Sequence, residues 1–118
     1  MSRLRLSSAA QADIVSLLAW TMTYFGASAQ RRYERLLSSA LVDLLDDPQR
    51  INSALRPELG EGVRSYHLRH ARKHSGVARP RHLILYRMDD AGTVEVGRVL
   101  HDAMELERHA GFEFPTEP

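Results

Sequence analysis

The chain has no cysteine among its 118 residues, and this absence excludes disulfides, thiolate nucleophiles and cysteine-rich zinc sites. Its glycines are isolated, so there is no glycine-rich phosphate loop, and no Gly-x-Ser-x-Gly nucleophile motif occurs. Lysine is nearly missing: of the 16 Lys and Arg side chains, 15 are arginine. The composition therefore argues against thiol chemistry, a phosphate-loop enzyme and a serine hydrolase of this type.

Long apolar runs are also missing. The longest helical segment, Ala9–Phe25, contains Gln11, Asp13 and several hydroxyl side chains, so it is too polar to span a bilayer. The first residues alternate polar and apolar side chains, which is unlike a signal peptide. We therefore expect a cytoplasmic protein with no membrane partner, folded as one domain over residues 1–118 with residues 111–118 as a loose tail.

The first half of the chain predicts one short strand and two helices. Arg3–Leu6 alternates like a strand, and Ser8 with Gln11 three residues later forms a capping box that starts a helix at about Ala9. Gly26 interrupts the apolar stripe, and a second striped helix runs to Asp46-Asp47-Pro48. Two apolar stripes joined at one glycine predict an antiparallel helical hairpin that packs on a sheet.

The second half predicts the sheet. An apolar run and an alternating run flank the turn residues Asp89–Gly92, which is typical of a β-hairpin. The predicted fold class is α+β, an antiparallel sheet packed against the helical hairpin in the order β-α-α-β-β-β plus a short terminal helix. The further segments are a loop at Gln49–Gly62, a strand at Val63–His70, a basic loop at Ala71–Pro80, hairpin strands at Leu83–Tyr86 and Thr93–Leu100, and a helix at Asp102–Ala110.

Basic side chains are concentrated in the predicted sheet. Residues 64–98 hold eight basic and three acidic side chains, a local surplus of +5 on a chain whose net charge is +1. Arginine presents a planar fork that suits carboxylate or phosphate, although a codon bias towards arginine explains the excess at least as well. The last strand carries Arg98 and ends near His101, so we expect that end of the sheet to meet an anion or a protein surface.

Catalytic and metal-binding alternatives are weaker. His67, His70 and His74 have spacings that suit a metal site, but no acidic residue lies nearby, and solvated loop histidines are the preferred interpretation. We therefore expect no metal and no cofactor. Arginines together with His101 could cleave RNA by acid–base catalysis and charge stabilisation. Binding of an acidic partner segment by Arg98 and His101 is favoured over catalysis, because no second clear acid or base is present.

The ordered set of motifs resembles the ParE branch of the RelE/ParE toxin superfamily, from Leu4 to about His109. No single motif is diagnostic, but their order along the chain is fairly specific. The motifs are Ala27-Ser-x-Gln-Arg-Arg-Tyr33, Gly60-x-Gly-Val-Arg-Ser-Tyr66, Arg81-His-Leu-Ile-Leu-Tyr-Arg87 and Gly97-Arg-Val-Leu-His101.

This resemblance implies a toxin of a type II toxin–antitoxin system that binds and poisons DNA gyrase through the A subunit. A ParD-like antitoxin is expected to neutralise it in a hetero-oligomer. On this view the protein is not an enzyme and needs no sequence-specific nucleic acid. The antitoxin is expected to bind as an amphipathic helix and an extended segment. The predicted target-binding residues are Arg98, His101, Met104, Arg64 and Arg81.

The main rival is a RelE-like, ribosome-dependent messenger RNA endonuclease. In that branch an arginine precedes the apolar stretch of the strand, and a tyrosine closes the last strand. Here Leu83 stands in the place of that arginine, and Asp102 follows His101. The missing cation argues against ribonuclease activity, while Arg64, Arg98 and His101 still match basic positions. A plain nucleic-acid-binding module and an inactive structural partner remain further alternatives.

Overall fold

The computed structural model describes residues 3–104 and contains two helices packed on one face of a five-stranded sheet. The helices are α1 (Ser8–Phe25) and α2 (Ala27–Asp46). The predicted α+β class, with a helical hairpin on a sheet, is confirmed. The strands are β1 (Leu4–Leu6), β2 (Ala54–Leu55), β3 (Arg64–His67), β4 (His82–Met88) and β5 (Val94–His101).

The sheet has the order β1-β5-β4-β3-β2 and is mixed rather than wholly antiparallel. Strands β2 to β5 pair antiparallel, but β1 runs parallel to β5, with Leu4 opposite Val94 and Leu6 opposite Val96. The sequence pattern carried no information on this direction, because the two strands come from opposite ends of the chain. Alternation of side chains identifies a strand but not the direction of its neighbour.

The helical hairpin begins and turns on local signals. The N-cap of α1 is Ser7, whose Oγ accepts a hydrogen bond from the Ala10 N–H at 2.9 Å. The predicted capping box at Ser8 is therefore wrong by one residue, and Gln11 instead donates to the Leu6 carbonyl. Gly26 alone joins the helices with φ +90°, a left-handed conformation that glycine adopts without a Cβ clash.

Two predicted segments between the helices and the hairpin need correction. The predicted loop Gln49–Gly62 contains β2 and a 3₁₀ turn at Pro57–Leu59, elements too short to produce a periodic pattern. The predicted strand Val63–His70 ends at His67 and continues as a 3₁₀ turn over Leu68–Ala71. The reason is local, since the His67 Nδ1 accepts a hydrogen bond from the Arg69 N–H and bends the backbone.

The predicted β4–β5 hairpin is confirmed. Its turn is held by the Asp89 Oδ1, which accepts hydrogen bonds from the N–H groups of Ala91 and Thr93, both at 2.9 Å. A register shift between Leu85 and Tyr86 marks a bulge in the pairing of the two strands. Beyond the hairpin, Asp102–Met104 forms a turn. The rest of the predicted helix, 105–110, and the predicted loose tail, 111–118, lie outside the described residues.

Both faces of the sheet are packed. The helix face buries a core of side chains from α1, α2 and the sheet, among them Leu36, Leu44, Tyr66, Ile84 and Tyr86. The opposite face buries a smaller cluster made of Leu59, Val63, Leu83, Leu85 and Leu100. The sheet is thereby fixed from both sides, and its ends keep the positions that the hairpin register sets.

Candidate functional site

A cleft of about 570 Å³ opens between the hairpin of helices and the His101 end of β5. Its walls are mostly apolar and its rim is basic. No acidic side chain is among the residues that line it. They are Leu17, Trp20, Thr21, Phe25, Ala29, Arg32, Tyr33, Gly76, Val77, Ala78, Arg79, Arg81, His82 and His101.

A partly buried hydrogen bond lies in the cleft, where the Tyr33 Oη and the His82 Nδ1 are 2.7 Å apart. Burial raises the pKa of Tyr33, so its phenol stays protonated and donates to the imidazole. Burial, assisted by the neighbouring His101, lowers the pKa of His82 to about 4. At neutral pH His82 is therefore uncharged, with the proton on Nε2 and Nδ1 acting as the acceptor.

Asp102 organises the charges at the rim. Its carboxylate accepts from the Arg81 guanidinium at 2.9 Å and from the His67 Nε2 at 2.9 Å. The hydrogen bond with Arg81, followed by that with His67, lowers the pKa of Asp102 to about 2. The same pairing raises the pKa of Arg81. The rim thus keeps an ionised carboxylate that fixes the direction of an exposed arginine.

His101 lies between the base and the rim of the cleft. Its ring meets the ring of His82 edge to face, with the centroids 5.3 Å apart, because His82 and His101 are paired across β4 and β5. The His101 Nδ1 accepts a hydrogen bond from the Ala103 N–H at 3.0 Å. In its neutral form the imidazole therefore carries its proton on Nε2, which leaves that atom as a donor.

Exposed aromatic side chains extend the cleft along α1. Trp20 and Phe25 line the cleft and are 55% and 65% exposed, and Tyr24 beside them is 66% exposed. The Trp20 ring lies 5.0 Å from Tyr24 and 5.5 Å from Phe25, measured between centroids. Grouped exposed aromatics of this kind are enriched at protein interfaces. Phe25 lies beyond Thr21, the last buried residue of α1.

The loop that contains Gly76 forms one wall of the cleft and packs closely against the Arg32 side chain. Gly76 has φ +83°, and a Cβ at this position would lie 2.7 Å from the Arg32 Cδ. Arg32 in turn donates to the Ser28 Oγ at 2.8 Å. Glycine is therefore needed at position 76 both for the backbone conformation and for the close approach of the arginine stem.

Arg81, His101 and Met104 are the predicted site residues that the structure brings together. Arg81 and His101 line the cleft, and Met104 is 45% exposed with its N–H donating to the His101 carbonyl at 3.0 Å. Sequence reasoning missed Tyr33, His82 and Asp102. Tyr33 closes the first family-like motif, and the pairing of His82 with His101 follows from the hairpin register, so a signal was available for both.

Arg98 lies outside this group. Its guanidinium makes two hydrogen bonds to the Asp13 carboxylate on α1, at 2.7 and 2.9 Å, and the same carboxylate accepts from the Val99 N–H at 2.9 Å. This pairing raises the pKa of Arg98. It also covers the β5 edge beyond the end of β1, where an open strand edge would otherwise be exposed.

Arg64 lies on β3, near the opposite edge of the sheet. Its Nε donates to the Ser53 Oγ at 3.0 Å, so the side chain ties β3 to the segment before β2. The three predicted metal-binding histidines also have separate surroundings, since His67 contacts Asp102, His70 stacks on Tyr66 and His74 is exposed. Within residues 3–104, no group of three or more His, Asp or Glu side chains is placed to hold a metal ion.

A helical hairpin on one face of a five-stranded mixed sheet defines a RelE/ParE-like domain. The sequence model of the family described as "ParE toxin of type II toxin-antitoxin system, parDE" matches residues 4–106. The chain therefore belongs to this family of toxins, as its motifs predicted. No curated protein matches the chain. Neither described helix is long and apolar enough to cross a membrane.

Proposed function

We propose that this toxin inhibits DNA gyrase by binding to it, through the A subunit, and that a ParD-like antitoxin neutralises it in a cytoplasmic hetero-oligomer. The observation that carries the proposal is Leu83, which stands where the nuclease branch has its strand arginine. Leu83 is 7% exposed and packs with Leu85 and Leu100 on the face of the sheet away from the helices. A cation that would face a scissile phosphate is replaced there by a core residue.

The proposed contact surface is the cleft rim with its aromatic extension. Arg81 is well exposed yet held in direction by Asp102, and His101 offers a donor beside it. Trp20 and Phe25 supply apolar area next to these charges. Interfaces concentrate their binding energy in aromatic and arginine side chains arranged in this way. Arg98 and Arg64 remain predicted contacts, although both guanidinium groups already bind side chains of the toxin itself.

The proposal is tested by a supercoiling assay with purified gyrase, in which trapped cleavage complexes appear as linear DNA after detergent and protease treatment. We expect inhibition by the unmodified toxin. Arg81→Ala is expected to raise the half-inhibiting concentration about tenfold, as for an interface hot spot. Arg31→Ala is the matched control, because Arg31 is exposed on α2 outside the cleft. Absence of both inhibition and linear DNA would reject gyrase as the target.

Neutralisation is tested by linkage. A ParD-like antitoxin that covers the cleft should raise the melting temperature of the toxin, since a partner present at 100 times its dissociation constant stabilises by about 2.7 kcal/mol. An acidic antitoxin segment would suit the arginine rim. An unchanged melting temperature in the presence of excess antitoxin would contradict the pairing.

One observation favours the messenger RNA endonuclease as the second candidate function. Tyr33, His82 and His101 stand close together beside Arg81, and an imidazole, a phenol and a guanidinium are groups that could serve phosphodiester cleavage. The raised pKa of Tyr33 makes its phenol a poor base at neutral pH. Codon-linked cleavage in a translating extract, abolished by His101→Ala, would favour this function over gyrase binding.

A further inference from the structure

We infer that a basic surface formed by the loop 71–80 and α2 binds the phosphate backbone of duplex DNA without reading its sequence. The binding itself is independent of what the toxin targets. Its consequence, that a toxin bound to gyrase also contacts the DNA that gyrase holds, rests on the proposed function. The basic surface consists of Arg72, Lys73 and Arg79 on the loop, all exposed, and of the exposed Arg35 and the half-buried Arg32 on α2.

Two contacts join the loop to α2 and bring the five cations onto one surface. The Arg35 Nη2 lies 3.5 Å from the Ser75 carbonyl oxygen, and the stem of Arg32 passes close to Gly76. The loop is held in shape by Ser75, which is 2% exposed and whose Oγ donates to the Arg72 carbonyl at 2.7 Å. The cations therefore stand on an ordered loop, so little conformational entropy remains to be lost when a ligand binds.

None of these five cations forms an ion pair with a carboxylate within residues 3–104. The hydrogen bonds that hold them have neutral acceptors, since Arg72 donates to the Ala78 carbonyl at 3.2 Å and Arg32 to the Ser28 Oγ at 2.8 Å. A neutral acceptor orients a guanidinium, leaves its other N–H groups available and does not cancel its charge. Arg81, just beyond the loop, is paired with a carboxylate and is not counted. Arginines elsewhere on the chain also have carboxylate partners, among them Arg5, Arg50, Arg87 and Arg98.

The sequence explains why these charges stay unpaired. From Gly62 to Met88 there is no aspartate or glutamate, while seven Lys and Arg side chains occur. A codon bias can account for arginine in place of lysine, but not for the absence of acidic residues over 27 positions. Glu34 on α2 lines the groove between the two helices and forms no ion pair with Arg32 or Arg35. Even with Glu34 included, the five cations leave a net charge of +4.

The basic surface has charge but no apolar anchor. No large, exposed hydrophobic side chain lies within 27–41 or 68–81, the parts of the described chain that form it and flank it. Protein interfaces concentrate their binding energy in such side chains, and single-stranded nucleic acids need aromatic rings for stacking. Phosphate contacts need only cations and hydrogen-bond donors. Duplex DNA, which carries one negative charge per about 1.7 Å of its axis, is therefore the partner that this surface fits.

The test is fluorescence anisotropy with the full chain and a short, labelled DNA duplex at several salt concentrations. If four or five cations contact phosphates, the slope of log binding constant against log salt should be about −4, so that affinity falls about 250-fold between about 50 and 200 mM NaCl. A second duplex of unrelated sequence should bind equally well. Absence of binding at the lowest salt concentration would overturn the inference.

Substitutions decide whether the basic surface makes the contact. Lys73→Gln should reduce the size of the slope by about 1, and Arg72→Gln with Lys73→Gln by about 2. Glutamine at position 72 keeps an amide donor for the Ala78 carbonyl. Arg3→Gln is the matched control, because it removes one charge from an exposed arginine whose carbonyl is bonded to the Val94 N–H, at the start of β5. Equal slopes for Lys73→Gln and Arg3→Gln would overturn the inference, since only net charge would then matter.

Two further arms identify the partner and separate this inference from the gyrase proposal. A glutamate-rich peptide or an RNA duplex that binds severalfold more tightly than the DNA duplex would overturn the assignment to DNA. In the supercoiling assay, Arg72→Gln with Lys73→Gln should raise the half-inhibiting concentration severalfold. DNA binding without any gyrase inhibition would uphold the basic surface and reject the gyrase proposal. Inhibition without DNA binding would do the reverse.

Discussion

Two arginine–aspartate pairs of this toxin have different surroundings. Arg98 and Asp13 join β5 to α1 with side chains 21% and 16% exposed, while Arg81 and Asp102 meet at the cleft rim with side chains 58% and 25% exposed. Their bond lengths are nearly the same. The difference between the two pairs is therefore one of burial more than of geometry. We expect the enclosed pair to stabilise the fold, whereas the exposed pair leaves the Arg81 cation accessible to solvent.

The largest expected effect comes from breaking the enclosed pair. Asp13→Ala leaves the Arg98 guanidinium without its partner and removes the acceptor of the Val99 N–H. We expect the free energy of unfolding to fall by about 3 kcal/mol, measured by urea denaturation. Asp90→Ala, at an exposed turn position, is the matched control and should change stability by no more than about 0.5 kcal/mol.

A double variant sharpens this prediction. Asp13→Ala combined with Arg98→Met removes both charges, so no unpaired cation is left near the sheet edge. Its loss of stability should be smaller than that of Asp13→Ala alone. A double variant that is less stable than the single variant would mean that Arg98 stabilises the fold without Asp13, and the comparison between the two pairs would then fail.

The next largest effect is a pH-dependent loss of stability that comes from His82, in the cleft. His82 has a pKa of about 4 in the folded chain, below its ordinary value of 6.5, so the unfolded chain takes up the proton first as pH falls. The stability that neutral His82 contributes is complete above about pH 6.5. It is lost between about pH 6.5 and pH 4. We expect a loss of about 2 kcal/mol from this group between pH 7 and pH 4.5, reduced by the partial exposure of the ring.

The measurement compares urea unfolding of the unmodified chain and of His82→Asn at both pH values. The asparagine carbonyl replaces the His82 Nδ1 as the acceptor for Tyr33 and does not titrate. The variant should therefore lose less stability on acidification than the unmodified chain. His74→Asn is the control, because His74 is exposed at φ +68°, a conformation that asparagine tolerates. Parallel losses in the unmodified chain and in His82→Asn would refute the assignment.

Local patterns in the sequence were sufficient to predict most of the fold. The helical hairpin follows from two apolar stripes interrupted at Gly26, and the β4–β5 hairpin follows from the turn residues Asp89–Gly92. The parallel entry of β1 and the two-residue strand β2 could not be predicted. The direction of β1 depends on the strand beside it, β5, which comes from the far end of the chain. Strand β2 is too short to show alternation of its side chains.

The candidate site was harder to predict, because its defining contacts join residues far apart in sequence. Arg98 and Asp13 are separated by 85 positions, and Tyr33 and His82 by 49. The sequence pattern could not distinguish Arg98 from Arg81, since the burial of a side chain is a property of the packed chain. Arg81 and His101 flank the predicted hairpin, whose register brings both to the cleft. Their role in target binding stays a prediction.

A smaller loss of stability is expected from substitution of Gly76, in the loop that lines the cleft. Gly76→Ala introduces a Cβ at φ +83° and places it against the Arg32 stem, whereas Gly92→Ala has nearly the same φ and no atom within 4 Å of the new Cβ. Backbone strain should therefore cost about 1 kcal/mol in both variants. Only Gly76→Ala should also displace Arg32 from the rim, with a further loss. Equal unfolding midpoints for the two variants would show that Arg32 adapts freely.

The smallest effect on stability is expected at the exposed pair. Asp102 has a pKa of about 2 in the folded chain, below its ordinary value of 3.8. Its contribution to stability is therefore present above about pH 4 and is lost as pH falls through about 2. Because the pair lies at the surface, Asp102→Asn should lower stability at pH 7 by less than about 1 kcal/mol and flatten the loss between pH 4 and pH 2. Asp90→Asn is the control and should retain that loss. If Asp102→Asn costs as much as Asp13→Ala at pH 7, the rim pair holds the fold as firmly as the enclosed pair, and Arg81 is not a cation reserved for a partner.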